Sequence, residues 1–237
     1  MQRYFSSLCE EGYYKLSSDD EYHIKKVMRM HKNDKIEIVD NKITYICEIE
    51  SIEPLKIKVI EKISEDNENK VKVTIVQSLV NEQKMDYILQ KDTELGAYSF
   101  YGYKAVNSVV KDNGKSDKKL LRWQKIVKEA SEQSKRNIIP KVVNIIDINE
   151  LCRLEADLKI LLTVNEKTLN LKKVLHDNKK YDTMIIVVGP EGGFTPFEEN
   201  KLIENGYLSV SLGSRVLRTE TASQTILAML NYEWMVE

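Results

Sequence analysis

Five consecutive apolar residues, Met184-Ile185-Ile186-Val187-Val188, run directly into Gly189-Pro190-Glu191-Gly192-Gly193-Phe194. An unbroken apolar run of this length is the pattern of a strand buried on both faces. Thr195-Pro196-Phe197-Glu198 then starts a helix by three rules: Thr195 caps it, Pro196 takes the first helical position, and Glu198 completes a capping box. Gly206 ends it. The same grammar recurs downstream. Leu208 to Leu212 reads as a strand ending at Gly213, the next loop holds Arg215, Val216, Leu217 and Arg218, and a helix begins at Thr219 with Ala222, Ile226, Met229, Leu230 and Trp234 on its apolar face. Two strand-loop-helix junctions this close together place both loops on one sheet edge, the edge where open α/β sheets take ligands. A glycine turn alone is equally a tight turn with no ligand. Arg215, Arg218 and Glu220 have a structural ion-pair set as their alternative reading.

The rest of the chain falls into two styles. Up to about residue 64 it reads as a small, mostly β domain. Ser18-Asp19-Asp20-Glu21 fits a capping box ahead of a short helix through Ile24, Val27 and Met28. Ile36 to Val39 and Thr44 to Ile49 are strand patterns joined by the turn Asp40-Asn41-Lys42, and Lys56 to Ile63 alternates again. Ser64 to Lys70 is polar throughout and reads as a linker or an exposed loop. From Val71 strands alternate with helices, which argues for a parallel sheet. The strand patterns are Val71–Val76, Tyr98–Tyr103, Val142–Ile146 and Leu158–Val164. The helical ones are Glu82–Leu95, stopped by Gly96, then Lys118–Lys135, with Pro140 marking its end, and Leu169–Leu175. A loop is expected at Lys111-Asp112-Asn113-Gly114-Lys115. The expected domains are therefore residues 1–70 and 71–237.

Composition narrows the function classes. No apolar run approaches the ~20 residues of a membrane span, and the N-terminus shows no signal-peptide pattern, so the cytoplasm is the default expectation. Cys9, Cys47 and Cys152, like His23, His31 and His176, follow no ligand spacing. Buried thiols and no metal are expected. Gly114-Lys115-Ser116 lacks the upstream glycine of a Gly-x-x-x-x-Gly-Lys-Ser/Thr phosphate loop, with Val109 in its place, so a nucleoside triphosphate is not indicated. The net charge of −1 argues against nucleic-acid binding by bulk charge. Locally the picture differs: Lys118, Lys119, Arg122, Lys125, Lys128, Lys135, Arg136 and Lys141 face only Glu129 and Glu132. Such a patch is a solvated helix face or an RNA phosphate contact.

Five blocks in order carry a resemblance. They are Arg3-Tyr4-Phe5; His23 with Val27-Met28-Arg29-Met30; Lys84-Met85, Gln90-Lys91 and Glu94-Leu95-Gly96; Arg122-Trp123-Gln124-Lys125-Ile126 through Gln133-Ser134, Arg136 and Pro140; and the two glycine loops with Leu217-Arg218-Thr219-Glu220-Thr221-Ala222. Together they resemble the ribosomal RNA small subunit methyltransferase E (RsmE) family, which methylates N3 of a uridine in 16S rRNA. The resemblance implies a C-terminal SPOUT methyltransferase domain, an α/β sheet closed by a trefoil knot, behind a PUA-like β-barrel used for RNA. It also implies a homodimer, with S-adenosylmethionine bound in the knot.

Carried onto this chain, the resemblance puts the cofactor against Gly189, Pro190, Glu191, Gly192, Gly193, Leu212, Gly213, Val216, Leu217, Thr219 and Ala222, with Leu162, Thr163 and Val164 beside them. Arg218 would stabilise negative charge on uracil, and Glu191 or Glu220 would accept a proton or orient a loop. Arg3, Lys25, Lys26, Arg29, Arg122, Lys125 and Arg136 would grip 16S rRNA in the small ribosomal subunit. Two segments depart from the family pattern. Val80-Asn81-Glu82-Gln83-Lys84 stands where the family usually has Pro-Lys-Gly-Asp-Lys, and Val106-Asn107-Ser108-Val109 where it usually has Glu-Arg-Ser-Val. Both lie outside the cofactor motifs in sequence, and they bring the RNA contacts into question. They leave open a paralogue that binds RNA or a ribosome-assembly intermediate without methylating it, or a SPOUT enzyme acting on another RNA.

Overall fold

A computed structural model describes residues 1–7, 9–64, 66–110, 116–176 and 180–234. The loop expected at 111–115 and residue Glu65 of the polar linker lie outside the described residues. The chain divides into two compact units: Met1–Glu68 with Ser131–Ile139, and Asn69–Ala130 with Pro140–Glu237.

The first unit is a six-stranded sheet in the order β1-β4-β5-β6-β3-β2. The strands are β1 (Gln2–Phe5), β2 (Cys9–Glu10), β3 (Tyr13–Tyr14), β4 (Lys35–Asp40), β5 (Ile43–Ile52) and β6 (Leu55–Ile63). Among them β1 runs parallel to β4, and the other pairs are antiparallel. Asn41 and Lys42 both take positive φ, the conformation that lets a two-residue turn follow the twist of its strands. Alternate residues of the strands, Tyr4, Ile36, Ile38, Cys47, Ile49 and Ile57, meet Tyr14 and Ile24 in one core. No strand pair joins the two ends of the sheet among the described residues. The Ser6 hydroxyl does reach the Lys15 carbonyl at 2.6 Å.

Sequence pattern misplaced several details here. Helix α1 (Ser18–Tyr22) is capped by Ser17, whose hydroxyl accepts from the Asp20 amide, one residue earlier than the expected box. The chain then continues as a π-helical turn, His23–Val27. That wider turn buries Ile24 and leaves Val27 and Met28 exposed. Cys47 is buried, Cys152 half-buried and Cys9 exposed.

Ser131–Ile139 belongs to this unit because its polar groups are buried in it. Arg136 pairs with Glu68 (2.6 Å). The Asn137 side chain donates to the Lys42 carbonyl and to Thr44. Arg3 pairs with Glu37 and donates to the Arg136 carbonyl.

The second unit is a parallel sheet in the order β12-β10-β11-β7-β8-β9. Its strands are β7 (Lys72–Ser78), β8 (Ser99–Tyr103), β9 (Lys141–Ile146), β10 (Leu158–Leu162), β11 (Thr183–Val188) and β12 (Leu208–Val210). On one face Val76, Leu161, Ile185 and Val187 pack with Leu151 of α4 (Ile148–Cys152) and Leu202 of α6 (Pro196–Glu204). Residues one position along the strands point to the opposite face. There Gly102 of β8 leaves room for Trp123 of α3 (Ser116–Gln133), since a Cβ at Gly102 would lie 3.2 Å from the indole. Helix α2 (Glu82–Glu94) packs on α7 (Thr219–Trp234), and α7 also touches β11. The buried line of α7 is Thr219, Ser223, Ile226, Leu227 and Leu230, so Met229, expected on it, is exposed. Helix α3 ends at Gln133, two residues before the expected Lys135, and β12 ends at Val210 rather than Leu212.

Candidate active site

Strand register decides which loops meet. Leu162 of β10 lies opposite both Val188 of β11 and Val210 of β12, and Val188 lies opposite Gln77 of β7. Strands β10, β11 and β12 therefore end level, with β7 running one residue further, and the residues after β11, β10 and β12 emerge side by side. Leu162, Thr163 and Val164 sit between the two glycine loops.

The first loop is shaped by its sequence. The Gly193 amide donates to the Pro190 carbonyl (2.9 Å), and Gly193 takes φ +71. Phe194 folds back so closely that a Cβ at Gly189 would lie 3.0 Å from its ring. Pro190 is buried beneath the turn while Glu191 and Gly192 are exposed. The expected Thr195–Glu198 capping box is present. In the second loop Ser211 Oγ accepts from the Gly213 amide (3.2 Å), and Gly213 takes φ +124. Cβ atoms at Gly193 and Gly213 would meet nothing within 4 Å, so both loops present bare backbone to open space. Val216, 80% exposed, and Val164, 57% exposed, add apolar surface beside them. Leu212 and Leu217 are half-buried.

Cross-links tie the exits together. Thr219 Oγ1 donates to the Gly189 carbonyl (2.7 Å) and accepts from Gln77 Nε2 (2.8 Å). Its hydroxyl is thus committed to the scaffold rather than to a ligand. Thr163 Oγ1 donates to Glu199 of α6 (2.6 Å), and the Thr163 amide to the Val210 carbonyl. Ala222 lies in the first turn of α7, its amide donating to the Arg218 carbonyl.

The charged groups divide unequally. Lys84, in the first turn of α2, pairs with Glu191 at 2.9 Å and stands 3.8 Å from Glu220. Burial pushes the Glu191 carboxyl up, but the Lys84 hydrogen bond and charge outweigh it and hold Glu191 below the usual carboxylate range. Arg218 is exposed, and among the described residues no acid lies within ion-pair distance of it. Sequence reasoning named Lys84 only as part of a block. It missed Glu199 and Gln77 altogether.

Asn107 also belongs here. Its side chain donates to the carbonyls of Gly192 (3.3 Å) and Gly193 (3.1 Å). The departure from the family pattern at this position lies far from the glycine loops in sequence and against the first of them in space. Asn81, the other departure, caps α2 by accepting from the Lys84 amide.

The residues expected to grip RNA are scattered in character. Arg3 and Arg136 are 3% and 4% exposed and pair with Glu37 and Glu68. A guanidinium buried in an ion pair is not offered to a phosphate, so these two belong to the scaffold. Arg122 pairs with Glu82 and Asp86, and Lys25 with Glu21 and Glu53. Lys26, Arg29 and Lys125 are exposed. Among the described residues no group of three or more His, Cys, Asp or Glu side chains is placed to hold a metal ion, and no helix is long and apolar enough to cross a membrane.

Comparison with known proteins defines the class. Residues 67–231 match the RNA methyltransferase domain, and residues 19–62 match the RNA methyltransferase PUA domain. Ribosomal RNA small subunit methyltransferase E of Bacillus subtilis is 35% identical over 98% of this chain and 97% of its own length. That of Mesomycoplasma hyopneumoniae is 30% identical over 96% and 97%. The crystal structure of the Neisseria gonorrhoeae protein of that name, bound to S-adenosyl methionine, superposes with a TM-score of 0.88 at 29% identity, covering 99% of this chain and 98% of that one. The chain belongs to the ribosomal RNA small subunit methyltransferase E family.

Proposed function

We propose that the protein is an S-adenosylmethionine-dependent methyltransferase acting on N3 of a uridine in 16S rRNA of the small ribosomal subunit. The observation that carries this reading is the level, cross-linked set of strand exits, where two positive-φ glycines turn bare backbone toward open space beside exposed Val164 and Val216. That cradle fits a nucleoside joined to an amino acid: backbone groups for its polar atoms and valine faces for its ring. Gly189–Gly193, Leu212, Gly213, Val216 and Leu217 would hold it, with Leu162–Val164 at the side. S-adenosylmethionine, when bound there, supplies a methyl group on a sulfonium, a good leaving group that needs no metal.

The chain's own residues then have two tasks, alignment of N3 and removal of its proton. Arg218, exposed and with no ion-pair partner within reach among the described residues, is available to the negative charge that develops on the uracil oxygens. Glu191, neutralised by Lys84, serves as a loop anchor. Glu220, half-buried and farther from Lys84, is the better-placed proton acceptor of the two. RNA is gripped by Lys26, Arg29 and Lys125, the exposed members of the basic set.

Two further features complete the reading. Strand β12 lies at the sheet edge beyond β10, yet α7 starts on Gly189 at the end of β11. The segment from Ser211 to Arg218 therefore crosses the exit of β10, which supports a threaded, trefoil-knotted C-terminus. Exposed Met229 and Tyr232 on α7, with Tyr87 on α2, support a homodimer covering that face; sedimentation of the protein tests it.

Calorimetric titration with S-adenosylmethionine tests the site. Saturable one-site binding that is lost in Gly213→Ala, where a Cβ strains the φ +124 backbone, supports the reading. No binding by the wild-type chain would favour a non-catalytic RNA-binding role.

A further inference from the structure

Glu198 does more than cap a helix. Its carboxylate is 1% exposed, and its two oxygens serve different segments. Oε2 accepts from the amide (2.9 Å) and hydroxyl (2.8 Å) of Thr195, at the end of the glycine loop. Oε1 accepts from the Tyr103 hydroxyl (2.7 Å) and the Val106 amide (3.0 Å), at the exit of β8. The next residue is Asn107, whose carboxamide returns to the carbonyls of Gly192 and Gly193. These contacts close a ring: glycine loop, Thr195, Glu198, Val106, Asn107, and back to the glycine loop. Gly192 sits inside it with no room to spare, since a Cβ there would lie 3.1 Å from the Asn107 Cβ.

A capping-box glutamate needs one oxygen for its box. The second oxygen of Glu198 fixes a strand exit that the helix itself does not require. With two oxygens and four donors, only a carboxylate satisfies both sides. A carboxamide would face either the Val106 or the Thr195 amide with its own NH2 group and leave that N–H unpaired.

We infer that Glu198 and Asn107 are positioning residues for the methyl donor, holding the Gly192–Gly193 carbonyls in place through the segment after β8. This rests on the reading of the glycine loops as the cofactor site. The geometry gives Asn107 a task of its own in this chain: its short carboxamide latches the loop from outside. Neither residue touches the reacting atoms. Their loss is felt in cofactor binding, with turnover at saturation little changed.

The test is a double-mutant cycle read by calorimetric S-adenosylmethionine affinity on the full-length protein, with Glu198→Gln, Asn107→Ala and their combination. Each single variant is expected to weaken binding about tenfold, and the double variant no more than the weaker single, because both break one ring. In ligand-free protein the Gly193 amide should exchange faster in both variants. KM for the cofactor should rise while kcat stays within about twofold. Asn107 is exposed, so its variant remains informative if Glu198→Gln fails to fold. Additive losses, or affinities within about twofold of wild type in both single variants while Gly213→Ala binds weakly, overturn the inference and leave the cofactor site standing. Unchanged affinity in Gly213→Ala as well overturns both.

Discussion

The Thr219 hydroxyl donates to the Gly189 carbonyl at 2.7 Å while accepting from Gln77 Nε2 at 2.8 Å, so the first residue of α7 is fastened to the ends of β11 and β7. Thr219→Val keeps the side chain's shape and removes both bonds at a buried position. It is expected to cost about 1–3 kcal/mol of stability, measured by urea denaturation, and Thr219→Ser should recover most of it.

Asp92 of α2 is fully buried against α7. Ser223 donates to one carboxyl oxygen (3.2 Å), and the other oxygen has no hydrogen-bond partner among the described residues. Burial pushes its carboxyl well above the usual range, and the Ser223 bond only partly offsets this. An acid raised in the fold is protonated there. Its favourable contribution is complete below its unfolded value and is lost as pH climbs through the range up to its folded value. Stability should therefore fall with rising pH above the ordinary aspartate range. Asp92→Asn should remove that slope and be more stable than wild type at pH 8, with the two converging near pH 4. Parallel slopes in thermal melts across that range would contradict this.

Arg136 and the exposed basic residues should separate cleanly. Arg136→Ala leaves half-buried Glu68 without its ion-pair partner, though still held by the Asn137 and Ile138 amides, and is expected to cost about 3 kcal/mol of stability. Lys26→Ala and Arg29→Ala should leave the melting temperature unchanged, weaken binding to small-subunit RNA, and each lower the salt slope of binding by about one. Filter binding over a salt series, beside calorimetry, reads both quantities.

Arg218 and Glu191 lie one in each glycine loop, yet their fates should differ. Arg218→Ala is expected to slow methyl transfer about 100-fold with cofactor affinity within a few-fold. Glu191→Gln, which removes a carboxylate already neutralised by Lys84, should keep turnover within a few-fold. Single-turnover rates at saturating cofactor decide it.

What the sequence disclosed was local. Thr195, Pro196 and Glu198 announce a helix start because capping chemistry acts within one turn, and the apolar run Met184–Val188 announces a buried strand. Beyond one turn the pattern goes silent. Nothing near Glu198 in sequence says that its second oxygen serves Tyr103 and Val106. Nothing near Asn107 says that it lies on Gly192, and nothing near Lys84 says that it reaches Glu191. The same limit explains Arg3 and Arg136: a basic residue reads as surface until the fold buries it against a glutamate. The family blocks marked most of the site's loops, but the cross-links between them come from strand order, which no local pattern encodes.

The most direct test is to incubate small ribosomal subunits from cells lacking this protein with the protein and methyl-labelled S-adenosylmethionine, then map the labelled nucleoside in 16S rRNA by mass spectrometry. The account predicts stoichiometric labelling of one uridine as 3-methyluridine. Labelling of another nucleoside, of a different RNA, or none despite cofactor binding would contradict it.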